Sequence, residues 1–529
     1  MLKMVDGTGI IGVDMVCPLG VTVSPPQPPN YDKVEVEGVG SLMLPNSLKA
    51  PLERLELIGN SVQGENPAPD NPQEIKSAGR KSKNLFDAKK AKSGWITSDG
   101  KQILATLGSI DNVISDYIQV YPGMNYTSSA SVYQNFYDSE KNFLNHNPNA
   151  STSIVVPDNA KYMIVVVGVN RALAIQTANT LMINIGSSAL PYEQYTDKYL
   201  LDVKVTGKNL FPYSNDFSNW SKFTNDSYFG SVTSDESGIK AEALKPYAKI
   251  VSPAFKLKPN TKYTISAMID TKDKSLNIGV RIFKNLNVSD YLKQIVIARR
   301  KSTNTPQKVS ATFTTDDLKD VNEVYLQLDC SWSDTVLPTI VTFYDIQLEL
   351  GNNATNYEPY TEQTLTLTSD RPITKWDRLV EQGGQYGWLY QSEVKEYRGE
   401  NSVSLYDSGF YFLLNNKKIT KGEGYCSELK QYVYYEKNPC ISFDMAQNTY
   451  VYTLNTQEIY GSTVSEIKEY LKIHPLHLVY KTETSDFIPL SESEQTQLRN
   501  LHSYNGTTNI MVDGGEVLCG IKLTYRKEK

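Results

Sequence analysis

The sequence predicts a mainly β protein: tandem β-sandwich modules of jelly-roll type, followed by a small α+β domain at the C-terminal end. Three observations predict it. The first is an internal repeat. Residues 181–196, LMINIGSSALPYEQYT, return 165 positions on as IQLELGNNATNYEPYT at 346–361. Two further landmarks return in the same order. Lys83-Asn84-Leu85-Phe86 recurs as Lys208-Asn209-Leu210-Phe211, and Pro122, Tyr126, Thr127, Ser129 and Ala130 recur as Pro259, Tyr263, Thr264, Ser266 and Ala267. Offsets that grow along the chain indicate one duplicated module with longer loops in its second copy. The second observation is composition: 35 Tyr, 32 Gly and 25 Pro suit many strands and turns rather than long helices. The third is period-two alternation. Tyr263, Ile265, Ala267 and Ile269 interleave with Thr264, Ser266 and Met268, and Val324, Leu326 and Leu328 interleave with Tyr325 and Gln327. Two copies are too few for a solenoid, so the repeat reads as separate beads, an arrangement suited to display or binding more than to a single catalytic cleft.

Taken in order, residues 1–50 read as an N-terminal arm and candidate anchor onto a larger assembly, interrupted by the stiff run Pro25-Pro26-Gln27-Pro28-Pro29. Residues 51–82 read as a strand over 52–58 and a proline-rich connector. Module one spans 83–200 and contains an apolar strand over 162–169. Module two spans 201–361. A connector follows over 362–400, with a strand around Leu365 and Leu367 and a turn at Asp370-Arg371-Pro372. Residues 401–529 read as the α+β domain. Helical spacing of Ile467, Tyr470 and Leu471 predicts a helix over 462–473, ended by Pro475. Ser491 and Glu494 form a capping box ahead of Leu498 and Leu501. Strands are expected at 450–454, 476–480, 510–512 and 520–525, with Arg526-Lys527-Glu528-Lys529 as a solvated tail.

A net charge of −6 gives no electrostatic footprint for nucleic acid or an anionic membrane. The apolar run at 162–169 is far short of a membrane span, so no membrane insertion is expected. Asp6 interrupts any apolar N-terminal run, so no signal peptide is expected, which points to synthesis in a cytoplasm. The five cysteines (Cys17, Cys330, Cys426, Cys440, Cys519) are scattered and odd in number, which is not a disulfide framework; a Cys426–Cys440 bridge across a hairpin stays open.

Gly7, Gly9 and Gly12 match GxGxxG, but no strand precedes them and Pro18 breaks the helix that a dinucleotide site needs. His474 and His477 flank Pro475 without a third ligand, which favours a helix end and a strand over a metal site. No GxSxG, HExxH or P-loop pattern occurs. Glu193 and Glu358 are the acids inside a repeated aromatic motif, and a structural seam closing each bead explains them better than hydrolysis does. That seam comprises Asn84, Phe86, Tyr192 and Glu193 in module one and Asn209, Phe211, Tyr357 and Glu358 in module two. For ligand contact, aromatic rings on loop-like stretches lead: Trp220, Trp332, Tyr133, Phe136 and Tyr137. No cofactor is expected. Calcium stays open, with Asp345 and Glu349 as its candidate ligands.

Several segments together resemble minor tail and baseplate proteins of phages and prophages of Gram-positive bacteria. They are Gly59-Asn60-Ser61 through Pro67-Ala68-Pro69-Asp70-Asn71-Pro72, Gln347-Leu348-Glu349-Leu350-Gly351 with Tyr357-Glu358-Pro359-Tyr360-Thr361, Trp376-Asp377-Arg378-Leu379-Val380, and Leu501-His502-Ser503-Tyr504-Asn505-Gly506. The resemblance runs over about residues 55–510. It implies a virion structural protein at the tail, with modules similar to carbohydrate-binding modules, that acts as a host-recognition appendage binding cell-surface glycan or teichoic acid. It also implies other tail and baseplate proteins as partners and assembly as a homo-oligomer, commonly a trimer, and it carries no catalytic residues. Two alternatives remain: a purely structural baseplate subunit that binds only its neighbours, and a cell-wall glycan hydrolase or its binding module.

Overall fold

The computed structural model describes residues 5–6, 9–10, 31–104, 112–168, 171–255, 257–258, 260–271, 277–283, 291–299, 305–315, 324–333, 335–400, 403–406, 408–414, 418–432, 438–443 and 450–528. Cys17, the proline run at 25–29 and most of the glycine pattern at 7–12 lie outside them. The chain is mainly β, and its strands pair antiparallel with one two-residue exception.

One sheet of eleven described strands is the platform of the molecule. Its order is Glu362–Ser369, Tyr199–Thr206, Gly506–Asp513, Ser41–Ser47, Gly520–Glu528, Arg54–Ile58, Arg378–Gln382, Gln385–Tyr397, Leu476–Pro489 and Ile419–Cys426, with Tyr31–Val39 also paired to Gly520–Glu528. Alternate residues of these strands, among them Leu201, Val203, Val205, Leu365, Leu367, Ile510 and Val512, form one buried core. Helix Glu492–Asn500 closes over that core with Leu498. Its capping box is the expected one, and Glu494 also accepts from Thr368 N at 2.7 Å, so the cap fastens the helix to the sheet. The turn ahead of Arg378 is held by Asp377, fully buried, which accepts from Thr374 N and Gln391 N and pairs with Arg371 at 3.0 Å.

Two modules and a lobe, which itself lends Ile419–Cys426 to the sheet, are inserted between platform strands. Module one leaves after Arg54–Ile58 and returns at Tyr199–Thr206, with a bridge between Arg80 and Leu200 at its root. Module two leaves at Thr206 and returns at Glu362, which are paired with each other. A third lobe leaves at Tyr397 and returns at Leu476, also a pair.

Module two is a sandwich of two five-stranded sheets. Tyr263, Ile265, Ala267 and Ile269, with Val341, Phe343 and Leu348 beside them on the paired strand, pack with Leu326 and Leu328 of the opposite sheet in its core, as the alternation predicts. Module one is built on an eight-stranded sheet whose long strand Asn125–Tyr137 changes neighbours along its length. Residues 126–128 pair with Ile183–Ile185, and residues 133–137 pair with Tyr162–Gly168. Helix Arg171–Asn179, which the sequence did not signal, puts Ala174 and Ala178 into its core.

The third lobe packs helix Val464–Ile473 against a five-stranded sheet around Phe410, Phe412 and Phe443, with Tyr397 stacked on Phe412 at 3.9 Å. The helix starts two residues after the expected 462, because Thr463 and Glu466 form its own capping box, and it ends at Ile473 as expected. His474 caps its C-terminus, and His477 stands exposed in the next strand.

Four expected boundaries are corrected. Residues 31–47 form two platform strands rather than part of an arm. Residues 362–397 supply three platform strands rather than a connector. The α+β domain is an inserted lobe, and residues 476–528 return to the platform. The tail is strand as far as Glu528, where Arg526 bonds Glu53 at 2.7 Å. Most of the partner strands are far away in sequence, as Tyr31–Val39 is from Gly520–Glu528 and Glu362–Ser369 from Tyr199–Thr206, so local patterning carries no trace of them. Cys426 and Cys440 are both buried free thiols, and burial pushes Cys426 up to about 12.

Candidate functional site

The repeated residues form the root of each module. Asn84 Nδ2 donates to Leu181 O (2.8 Å) and Glu193 O (2.9 Å), while its Oδ1 accepts from Phe86 N (3.0 Å) and Ile183 N (3.1 Å). Asn209 does the same with Ile346 O, Glu358 O, Phe211 N and Leu348 N, all at 3.0–3.1 Å. A side-chain amide carries two donors and two lone pairs, so one buried Asn satisfies four main-chain groups from the first and last segments of its module. Phe86 and Phe211 sit beside it in the two cores. Next to each clasp, Gly186 and Gly351 hold positive φ (119° and 104°) and receive Thr127 and Thr264 hydroxyls.

Glu193 accepts from Arg80 at 2.9 Å, and Arg80 also reaches Asp202 on the platform at 2.6 Å; Glu358 pairs with Lys208 at 2.7 Å. Each repeated glutamate therefore faces a cation at a module root. Glu349 stands where Asn184 stands in module one, and both accept from a loop N–H, Thr355 N (2.9 Å) and Leu190 N (3.2 Å). Its remaining contacts are Gln347 and the Thr355 hydroxyl. Asp345 occupies a bulge with φ 51°, and burial raises its carboxyl above the usual range. Among the described residues no third His, Cys, Asp or Glu joins them as a metal-binding group.

The five aromatic candidates divide. Phe136 and Tyr137 are neighbours on a strand covered on both faces. Phe136 lies in the main core, and Tyr137 lies in a second cluster with Ile114, Ile164 and Val166, its hydroxyl donating to Gly100 O. Burial pushes Tyr137 up to about 12. Both are corrected to core residues, and Tyr133, on the same strand, is 42% exposed. Trp220 is partly buried against the module-two core: it packs edge-on against Phe211 at 5.9 Å and beside Phe217 at 5.6 Å, with its indole nitrogen buried.

Trp332 stands differently. Its ring meets that of Tyr247 edge-to-face at 5.3 Å, and Tyr247 is 45% exposed. The two rings sit on neighbouring loops, 244–248 and 330–338, whose roots are laced together. Ser331 Oγ donates to Lys245 O (2.6 Å) and accepts from Ala248 N (2.9 Å), and Cys330 N donates to Ala248 O. Lys245 Nζ lies 5.2 Å from the Tyr228 ring and bonds Ser227. Strand Thr339–Leu350 runs from these loops and meets the clasp at Ile346 and Leu348, so the ring pair lies about 25 Å along the strand from the root, at the far end of the module. Such a tip offers flat apolar area, which suits stacking on a sugar face. The sequence signalled Trp332 but not Tyr247. The signal available for Tyr247 was the proline loop Leu244-Lys245-Pro246-Tyr247 between two strand patterns.

No family model and no curated protein matches the chain. Solved structures with local likeness include a family 4 carbohydrate-binding module (TM-score 0.21, 17% identity, 27% of this chain and 97% of that one). They also include the tandem family 22 modules of Paenibacillus barcinonensis Xyn10C (TM-score 0.23, 8% identity, 60% and 99%) and the tripod from the baseplate of bacteriophage Tuc2009 (TM-score 0.20, 14% identity, 42% and 93%). No helix among the described residues is long and apolar enough to cross a membrane.

Proposed function

We propose that this chain is a tail or baseplate protein of a phage of Gram-positive bacteria that binds cell-surface glycan or teichoic acid without cleaving it. The observation that carries this reading is the Trp332–Tyr247 pair, held by laced loops at the outer tip of a module that is rooted in a separate platform. The ordered motifs that resemble tail proteins support the virion setting. Homo-oligomeric assembly beside other tail proteins follows from the same resemblance. The repeated glutamates, each paired with a cation, are positioned as structural groups and not as a hydrolytic pair.

Pull-down of the full chain on whole Gram-positive cells and on isolated wall glycans tests this. Trp332→Ala and Tyr247→Ala are each expected to weaken binding by at least ~1 kcal/mol with unfolding unchanged, as for a stacked ring at an interface. Unchanged binding in both variants overturns the assignment of the tip. Val39, Met43 and Leu518 are exposed on the platform, with Leu518 against Gly40, and they favour a second reading of a subunit that binds only its tail neighbours. Failure to bind any cell or glycan, with assembly onto other tail proteins intact, selects that reading.

A further inference from the structure

Module one has a cavity of about 350 Å³ beside its clasp, within the range of small-ligand pockets. Module two closes the equivalent place with its own side chains. There Tyr213 packs edge-on against Phe211 at 5.8 Å, Trp220 does so at 5.9 Å, and Ser214 accepts from Tyr360 N at 3.2 Å while its carbonyl faces the Tyr357 hydroxyl. Counting from the clasp Asn, module one has Ala88 for Tyr213 and Lys89 for Ser214. Trp95 stands nine positions after Phe86, as Trp220 does after Phe211, but it is 40% exposed on strand Lys92–Ile96. Tyr192, the counterpart of Tyr357, is 48% exposed at the cavity. The same backbone frame thus holds an aromatic ring of its own in one copy and a cavity in the other.

The lining is two-sided. Phe86, Leu181 and Tyr192 give apolar surface, and Asp87, Asn179 and Gln194 give donors and acceptors. We propose that this cavity binds a single pyranose ring of a glycan, with its C–H face against Tyr192 and its hydroxyls on Asp87, Asn179 and Gln194. The space that a six-membered tyrosine ring fills in module two suits a six-membered sugar ring. A purely apolar ligand would desolvate the three polar side chains with nothing to bond them. The assignment rests on the glycan-binding reading and adds a second site to it, far from the Trp332 tip in chain and in a different module.

Saturation-transfer NMR of the full chain with free glucose, galactose, N-acetylglucosamine and rhamnose at millimolar concentration tests it. In the Trp332→Ala background, which removes the tip, at least one sugar is expected to give a signal, which adding Tyr192→Ala lowers about fivefold or more and adding Ile473→Ala, an exposed change on the third lobe, leaves unchanged. Ala88→Tyr, which places in module one the ring that module two already has, is expected to abolish the signal. Tyr192 is exposed, so its variant decides the matter even if Ala88→Tyr folds poorly. Absence of signal from every sugar, or a signal that both module-one variants leave intact, overturns the site. Capture on whole wall glycan is judged separately through Trp332, so a silent cavity beside positive capture rejects this site alone.

Discussion

The two modules share a root down to single hydrogen bonds and differ in what surrounds it. In module two, Phe211 is packed by Tyr213, Trp220 and Phe255. In module one, Phe86 borders a cavity, and the aromatic surplus has moved to a second cluster behind the sheet, around Tyr137, Tyr117, Phe143 and Tyr162. The lesson is that duplication preserved the main-chain clasp and released the side chains around it. The clasp fixes where a module begins and ends, and the packing decides what the module can hold.

The largest expected effect probes the clasp. Asn209→Ala leaves Phe211 N and Leu348 N buried without acceptors and is expected to cost about 3–5 kcal/mol. Asn84→Ala removes the same four bonds, but Asn84 lines the cavity, so water can reach the orphaned groups and about 2 kcal/mol is expected. Hydrogen exchange in strands Lys262–Thr271 and Asn125–Tyr137 reads each module separately. Equal losses would show that the cavity does not hydrate the clasp. Next, Tyr213→Ala is expected to give module two a cavity like that of module one at about 2–3 kcal/mol, seen as faster exchange around Phe211. No change would mean that Trp220 alone fills the space.

The smallest effect concerns pH. Asp345 has no acidic counterpart in module one, where Thr180 stands in its place. Burial raises its folded pKa above the ordinary 3.8, so the native state holds the proton more tightly. Its contribution is present below that ordinary value and is lost as pH rises through the folded pKa. Asp345→Asn keeps a residue that tolerates the left-handed backbone there and removes the charge. It is expected to stabilise module two by a few tenths of a kcal/mol at pH 7, after solvent screening, and not at pH 3. Thermal unfolding at the two pH values checks it, and an equal shift at both would assign the effect to backbone strain.

Much of this fold was legible in the sequence where the information is local. Alternation at Tyr263, Ile265, Ala267 and Ile269 named a strand and its core face, and Ser491 with Glu494 named a helix start. The platform was not legible, because Val34 pairs with Tyr525 and Val205 with Ile510. Period two says which face a residue takes and nothing about its partner strand. The site was legible in part. Trp332 stood in a polar loop and was found, whereas Phe136 and Tyr137 looked alike in sequence because a strand covered on both faces shows no polar alternation. Tyr247 is placed at the tip by loop lacing, which only three dimensions display.

The pairing of Tyr31–Val39 with Gly520–Glu528 has a consequence for synthesis. As the chain leaves the ribosome, each module completes its own clasp with residues made shortly before, and it can close during translation. The platform cannot. Its early strands must wait, edges unpaired, for the last strand to be made. A prematurely stopped product would carry two finished modules on an open sheet, prone to pair with any other unpaired edge. Synthesis of Gly520–Glu528 is thereby the step that separates a closed platform from a sticky fragment.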